Sequence, residues 1–200
     1  MAWTALIALA QSAATPVYFP PVYDRMYAPC ASLGRSLPRF DDLHRDWYSK
    51  HLAAAGEPSL FERARTGQGD ILRFLWLRTF DAPVIVRIEG LRGTAPRLVA
   101  VELDGQGGYA PGKVRRRLER SLLPAQSADL RRRLVAQNPL KQPSGSDGCE
   151  AGLDGSQWIV ERAIGPRYKM VDRWRPETGA VRATGMAMLR LTGWTFADIY

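Results

Sequence analysis

The chain has only two histidines and two cysteines among its 200 residues, and that scarcity excludes whole classes of chemistry. A thiolate or imidazole metal centre needs three or four such ligands within reach of one another. Cys30 and Cys149 each stand in a turn-rich context with no histidine beside them. His44 and His51 are separated by about 10 Å of axial rise if both lie on one helix, whereas a helical metal pair is spaced by four positions. No nucleophile, base and orienter occur together in a spacing that marks a known catalytic set. No cofactor motif is present either. The glycine-rich stretch from Asp104 to Lys113 lacks the order of a phosphate-binding loop, because Lys113 is followed by Val114 where that loop needs Ser or Thr. Runs of about 20 apolar residues, which a spanning helix needs, are missing, as are internal repeats.

What is present is a set of short runs rich in β-branched and aromatic residues. Ile71 to Phe80, Val84 to Glu89 and Arg97 to Leu103 are divided by Asp81–Pro83 and Gly90–Pro96, the mark of neighbouring antiparallel strands. Val84, Val86 and Ile88 alternate with Ile85, Arg87 and Glu89, which predicts one dry face and one at least partly wet. Ile71 to Leu77 is apolar on both sides, so this strand is expected in the middle of the sheet. Two more strands fit Gln157–Glu161 and Tyr168–Trp174, joined at Gly165–Pro166.

Helices account for the rest. Asp41 or Asp42 caps one that runs to about Ala55, with Gly56 as its stop. Ser59 and Glu62 form a capping box for a second, ended by Gly67. Leu118, Leu122, Leu130 and Leu134 mark helices after the third strand, and a last one spans about Thr178 to Leu191, with Gly185 at a close approach and Gly193 as its end. The expectation is an α+β domain, a five-stranded and mainly antiparallel sheet with helices packed on one face. It would occupy 41–200, after an extended Pro/Tyr-rich arm over 15–40.

Met1 to Ala14 is apolar and then small, with no charge before Asp24. It reads as the hydrophobic and cleavage portion of a secretory leader that lacks the basic start, or else as a buried N-terminal helix or strand. Export to the periplasm or medium would allow a Cys30–Cys149 disulfide, whose long loop stabilises by about 4–5 kcal/mol in the chain-entropy picture. Two separate buried thiols are the other reading.

The net charge is +8, and most of it is local. Lys113, Arg115, Arg116, Arg117, Arg120, Arg131, Arg132 and Arg133 stand against Glu119 and Asp129. Such runs solvate helix faces and also suit an acidic partner. No aromatic residue lies between Val114 and Gln157, which disfavours nucleic acid. Lipopolysaccharide, anionic lipid or another acidic envelope component fits better. Tyr109 and Lys113, in the glycine-rich turn, complete the candidate ligand-binding set as a rim near the sheet edge.

Phe74–Phe80, Pro83–Glu89, Leu103–Lys113, Asp154–Glu161 and Tyr168–Trp174 resemble the shared blocks of a family of bacterial hypothetical proteins, over roughly Asp70 to Leu191. That family has no assigned activity, so the resemblance implies no site. The functional expectation is an exported, non-catalytic binding or interaction domain. The alternatives are a binder of polyanions through the 113–133 segment and a hydrolase using His44 or His51 as a general base.

Overall fold

The computed structural model describes residues 15–21, 42–145 and 154–200. The leader-like segment, most of the expected arm, Cys30 and Cys149 lie outside these. The elements in chain order are α1 (Asp42–Ala54), α2 (Leu60–Arg65), β1 (Asp70–Arg78), β2 (Val84–Glu89), β3 (Arg97–Leu103), β4 (Val114–Ser121), α3 (Pro124–Ala136), a 3-10 turn (Pro139–Lys141), β5 (Ser156–Ile164), β6 (Arg167–Trp174) and α4 (Gly179–Thr192). All six strands join one sheet in the order β4-β3-β2-β1-β5-β6, and every neighbouring pair is antiparallel. The α+β class is therefore as the sequence implies, with β1 inside the sheet.

The strand beyond the expected five is β4, over residues that leucine spacing assigned to a helix. Its inward positions are Arg116, Leu118 and Arg120, so two of three are arginines whose stems do the covering. Arg116 pairs with Glu102 at 2.8 Å and lies 4.1 Å from the centre of the Trp194 ring. Arg120 donates to the Leu191 carbonyl. A period of two is present, but it is written in charged residues.

Helices pack on both faces of the sheet, not on one. Phe74, Trp76, Val86, Ile88, Trp158 and Val160 form a core with Leu130 and Leu134 of α3 and Val181, Met188 and Leu189 of α4. A methyl at Gly185 would lie 2.6 Å from the Trp158 ring and 2.7 Å from Phe74, so the absent side chain is what lets α4 approach. Full burial of each such aromatic is worth about 1.5–3 kcal/mol. On the opposite face Leu75, Leu77, Ile85, Val99 and Ile159 pack beneath Tyr48 and Leu52 of α1 and beneath Tyr18 and Phe19. Leu60 and Ala64 of α2 extend that layer over Ile71 and Ala163.

Charge hides this second layer from sequence reading. Arg73 and Arg87 face each other directly across β1 and β2, a pairing that by itself destabilises a sheet. Glu57, in the turn between α1 and α2, lies between them, 3.5 Å from Arg73 and 2.8 Å from Arg87. Glu161 of β5 holds Arg73 from the other side through two hydrogen bonds of 2.7 and 2.8 Å. The alternation continues through Glu89, Arg97 and Glu119, so a ladder of opposite charges crosses β5, β1, β2, β3 and β4. Burial alone would lower the pKa of Arg73; the charge and hydrogen bonds of Glu161, with Glu57, outweigh it and hold the guanidinium above its ordinary value. The two arginines are buried because this face carries its own counter-ions.

In α2 the capping box is half formed. Ser59 Oγ accepts from the Glu62 amide, but the Glu62 carboxylate turns to the Val17 amide at 2.8 Å and ties the 15–21 segment down.

Candidate functional site

The expected ligand-binding residues fall at three separate places. Tyr109 is exposed and stacks on Phe80, with ring centres 6.1 Å apart. Lys113, at the end of the same loop, donates its amide to Asp104. The amides of Gly105, Gln106, Gly107 and Gly108 are all spent on carbonyls of Pro111, Ala110, Asp81 and Thr79, so the loop is a closed turn packed on the end of β1 and not a phosphate cradle. Arg115, Arg116 and Arg117 lie on β4, an edge strand, and so alternate between its two sides. Arg116 is engaged by Glu102, and Arg117 is 3.7 Å from Glu119. Arg131, Arg132 and Arg133 lie on α3 as expected; Arg132 and Arg133 both reach Asp129. The two arginine runs belong to different elements and do not make one surface.

Arg131 leads to the site that the fold does build. At the end of the sheet opposite the glycine-rich loop, a half-open cavity of about 650 Å³ lies between α3, the 3-10 turn, the loop after β2 and the β5–β6 hairpin. Leu91, Leu134, Val135, Leu140 and Ile164 give it an apolar wall. Five cations share the lining: Arg92, Arg131, Arg162, Arg167 and Lys169. This volume lies within the range of small-molecule sites, and an apolar wall with a few convergent polar groups is their usual composition.

The backbone explains why these cations meet. Gly165, at φ 51°, turns the chain tightly, so that Ile164 pairs with Arg167 and Arg162 pairs with Lys169. The alternation of β5 then puts Arg162 on the same side as Trp158 and Val160, beneath α3 and α4. Asp70 of β1 is the carboxylate here, 3.5 Å from Arg92 and 4.0 Å from Arg162. Among the described residues neither Arg167 nor Lys169 forms an ion pair. Burial lowers the pKa of Arg162, with Arg92 adding to the shift and Asp70 opposing it. Burial and the neighbouring Arg173 lower Lys169. Arg131 is committed differently, donating to the Leu91 carbonyl at 2.7 Å and to that of Gly93, so it braces the loop that forms one wall.

Of the eight residues expected from the 104–133 region, Arg131 alone lines this cavity. Sequence reasoning did not single out Arg162, Arg167 or Lys169, although the chain carries a signal for them. Counting outward from the Gly165–Pro166 turn sets Arg162 opposite Lys169 on the residue order alone.

The histidines lie elsewhere, on α1. His51 is fully buried; burial and the nearby Lys50 push its pKa down to about 4, against the Gly107 carbonyl, which favours the charged form. Its ring belongs to the core, and burial disfavours its charged form. His44 packs beside Trp47 and Tyr48. Asp172 accepts from the Tyr48 hydroxyl at 2.7 Å. Trp158 is core, as sheet tryptophans usually are. Among the described residues no cluster of His, Cys, Asp or Glu could hold a metal ion. Nor is any helix among them long and apolar enough to cross a membrane.

No protein-family model matches the chain, and no curated protein is significantly similar to it.

Proposed function

We propose that this protein is a non-catalytic binding domain whose ligand is a small anion with an apolar body, taken up in the cavity between α3 and the β5–β6 hairpin. The observation that carries this reading is the union of an apolar wall with five cations and one nearby carboxylate, Asp70, which Arg92 and Arg162 already share. Apolar contact supplies affinity in such a site, and the cations supply orientation and selection for negative charge. The leader-like composition of Met1 to Ala14 adds the reading that the domain works outside the cytoplasm. The mature amino terminus, measured by mass spectrometry after expression in a secreting host, tests that part.

A fluorescence titration with 8-anilinonaphthalene-1-sulfonate, which joins an aromatic body to one negative charge, tests the binding reading. Saturable one-to-one binding to the folded protein is expected, weakened by added salt and by Arg162→Gln. Binding that is absent, or indifferent to both salt and Arg162→Gln, refutes it.

A further inference from the structure

The two faces of the sheet treat the same electrostatic problem differently. On one face, Arg73 and Arg87 oppose each other and Glu57 lies between them. On the other face, Arg162 and Lys169 are directly opposite across β5 and β6, with Arg167 next on the same strand. Asp70 lies at the far side of Arg162 and is shared with Arg92. Like charges in direct register destabilise a sheet unless something of opposite sign joins them. The position that Glu57 fills on the first face has no counterpart among the described residues on the second. The buried Nε of Arg162 is also without a hydrogen-bond partner there.

We infer that the seat formed by Arg162, Lys169 and Arg167 takes a doubly charged head group, a phosphate monoester, whose apolar body lies against Leu134, Leu140 and Ile164. This rests on the binding reading above and names the ligand class for that site. A carboxylate is the weaker match, because Asp70 already supplies one to Arg92 and Arg162, and a second would leave most of the local charge unanswered. A phosphate offers three oxygens, enough to meet a guanidinium through two bonds and an ammonium through the third. The lowered pKa values of Arg162 and Lys169 agree with cations crowded by burial and by their own neighbours; a dianion between them relieves both.

The test compares octyl phosphate with octyl sulfate at pH 8, both below their micellar concentrations, by isothermal titration calorimetry on the folded chain. The two ligands share an alkyl body and a tetrahedral oxygen cluster. They differ by one charge, since a phosphate monoester loses its second proton near pH 6. Octyl phosphate is expected to bind about tenfold tighter or more, with inorganic phosphate much weaker than either. Arg167→Gln, at an exposed position that leaves folding undisturbed, is expected to erase most of the preference, as is Arg162→Gln. Arg63→Gln on α2 serves as the control and leaves it unchanged. Equal affinity for the two amphiphiles overturns the doubly charged head group while the cavity reading stands. Inorganic phosphate binding as tightly as octyl phosphate overturns the apolar part of the assignment. Association with phosphatidate vesicles without binding of monomeric octyl phosphate identifies a membrane head group and overturns the small ligand. If neither amphiphile binds while 8-anilinonaphthalene-1-sulfonate still does, the phosphate assignment falls and the cavity reading stands; if none of the three binds, both fall.

Discussion

Replacing Glu161 by Gln removes one charge from the buried end of the ladder and nearly preserves shape. Arg73, fully buried, then keeps Glu57 at 3.5 Å and the Pro58 carbonyl at 2.7 Å but loses the carboxylate that holds it through two bonds. Tyr168, which donates to the same carboxylate at 2.8 Å, loses a charged acceptor. Removing one partner of a buried pair costs about 3–5 kcal/mol, because the remaining charge stays desolvated. For a domain of this size each kcal/mol shifts Tm by about 2–4 °C, so Glu161→Gln lowers Tm by about 6–20 °C. The double variant Arg73→Met/Glu161→Leu removes both charges and leaves the Glu57–Arg87 pair at 2.8 Å intact. It is therefore more stable than the single variant, since apolar replacement of a whole buried pair is often neutral or better. Scanning calorimetry and urea unfolding measure both. A single variant within about 1 kcal/mol of the wild type, or a double variant no more stable than the single one, contradicts the account of why this face is buried.

Two further outcomes follow from the packing. His51 has a folded pKa of about 4 against an ordinary 6.5, so between these values the unfolded chain binds a proton that the folded one refuses, and stability falls as pH drops from 6.5 to 4. His51→Gln removes up to about 3 kcal/mol of that loss; urea midpoints at pH 7 and pH 4.5 measure it, and parallel profiles for the two proteins refute it. Gly185→Ala places a methyl 2.6 Å from the Trp158 ring and costs about 1–3 kcal/mol by overpacking; an unchanged melting temperature shows that α4 is not held as closely as described.

Much of the sheet was legible because apolar residues write it directly. Val84, Val86 and Ile88 alternate in the sequence and are all buried in the core beneath α3 and α4. Glycine gave the helix ends, with Gly56, Gly67 and Gly193 at φ 66°, 72° and 70°. What escaped was whatever charged residues build. β4 covers its neighbours with arginine stems, so its period of two reads as a solvated helix face. The second face of the sheet reads as partly wet at β2 because Arg87 and Glu89 lie there, and Arg87 is buried beside Arg73 only because Glu57 arrives from a turn distant in sequence. The cavity escaped for the same reason. Arg162 and Lys169 look like ordinary surface charges until the register of one hairpin sets them opposite each other, next to a wall contributed by α3 and the 3-10 turn.

The most direct measurement is the map of backbone amide shifts on saturation with 8-anilinonaphthalene-1-sulfonate. Binding in the cavity between α3 and the β5–β6 hairpin concentrates them at Leu91–Gly93, Leu134–Leu140 and Arg162–Lys169. Shifts centred instead on the Asp104–Lys113 loop, or no saturable shifts at all, contradict it.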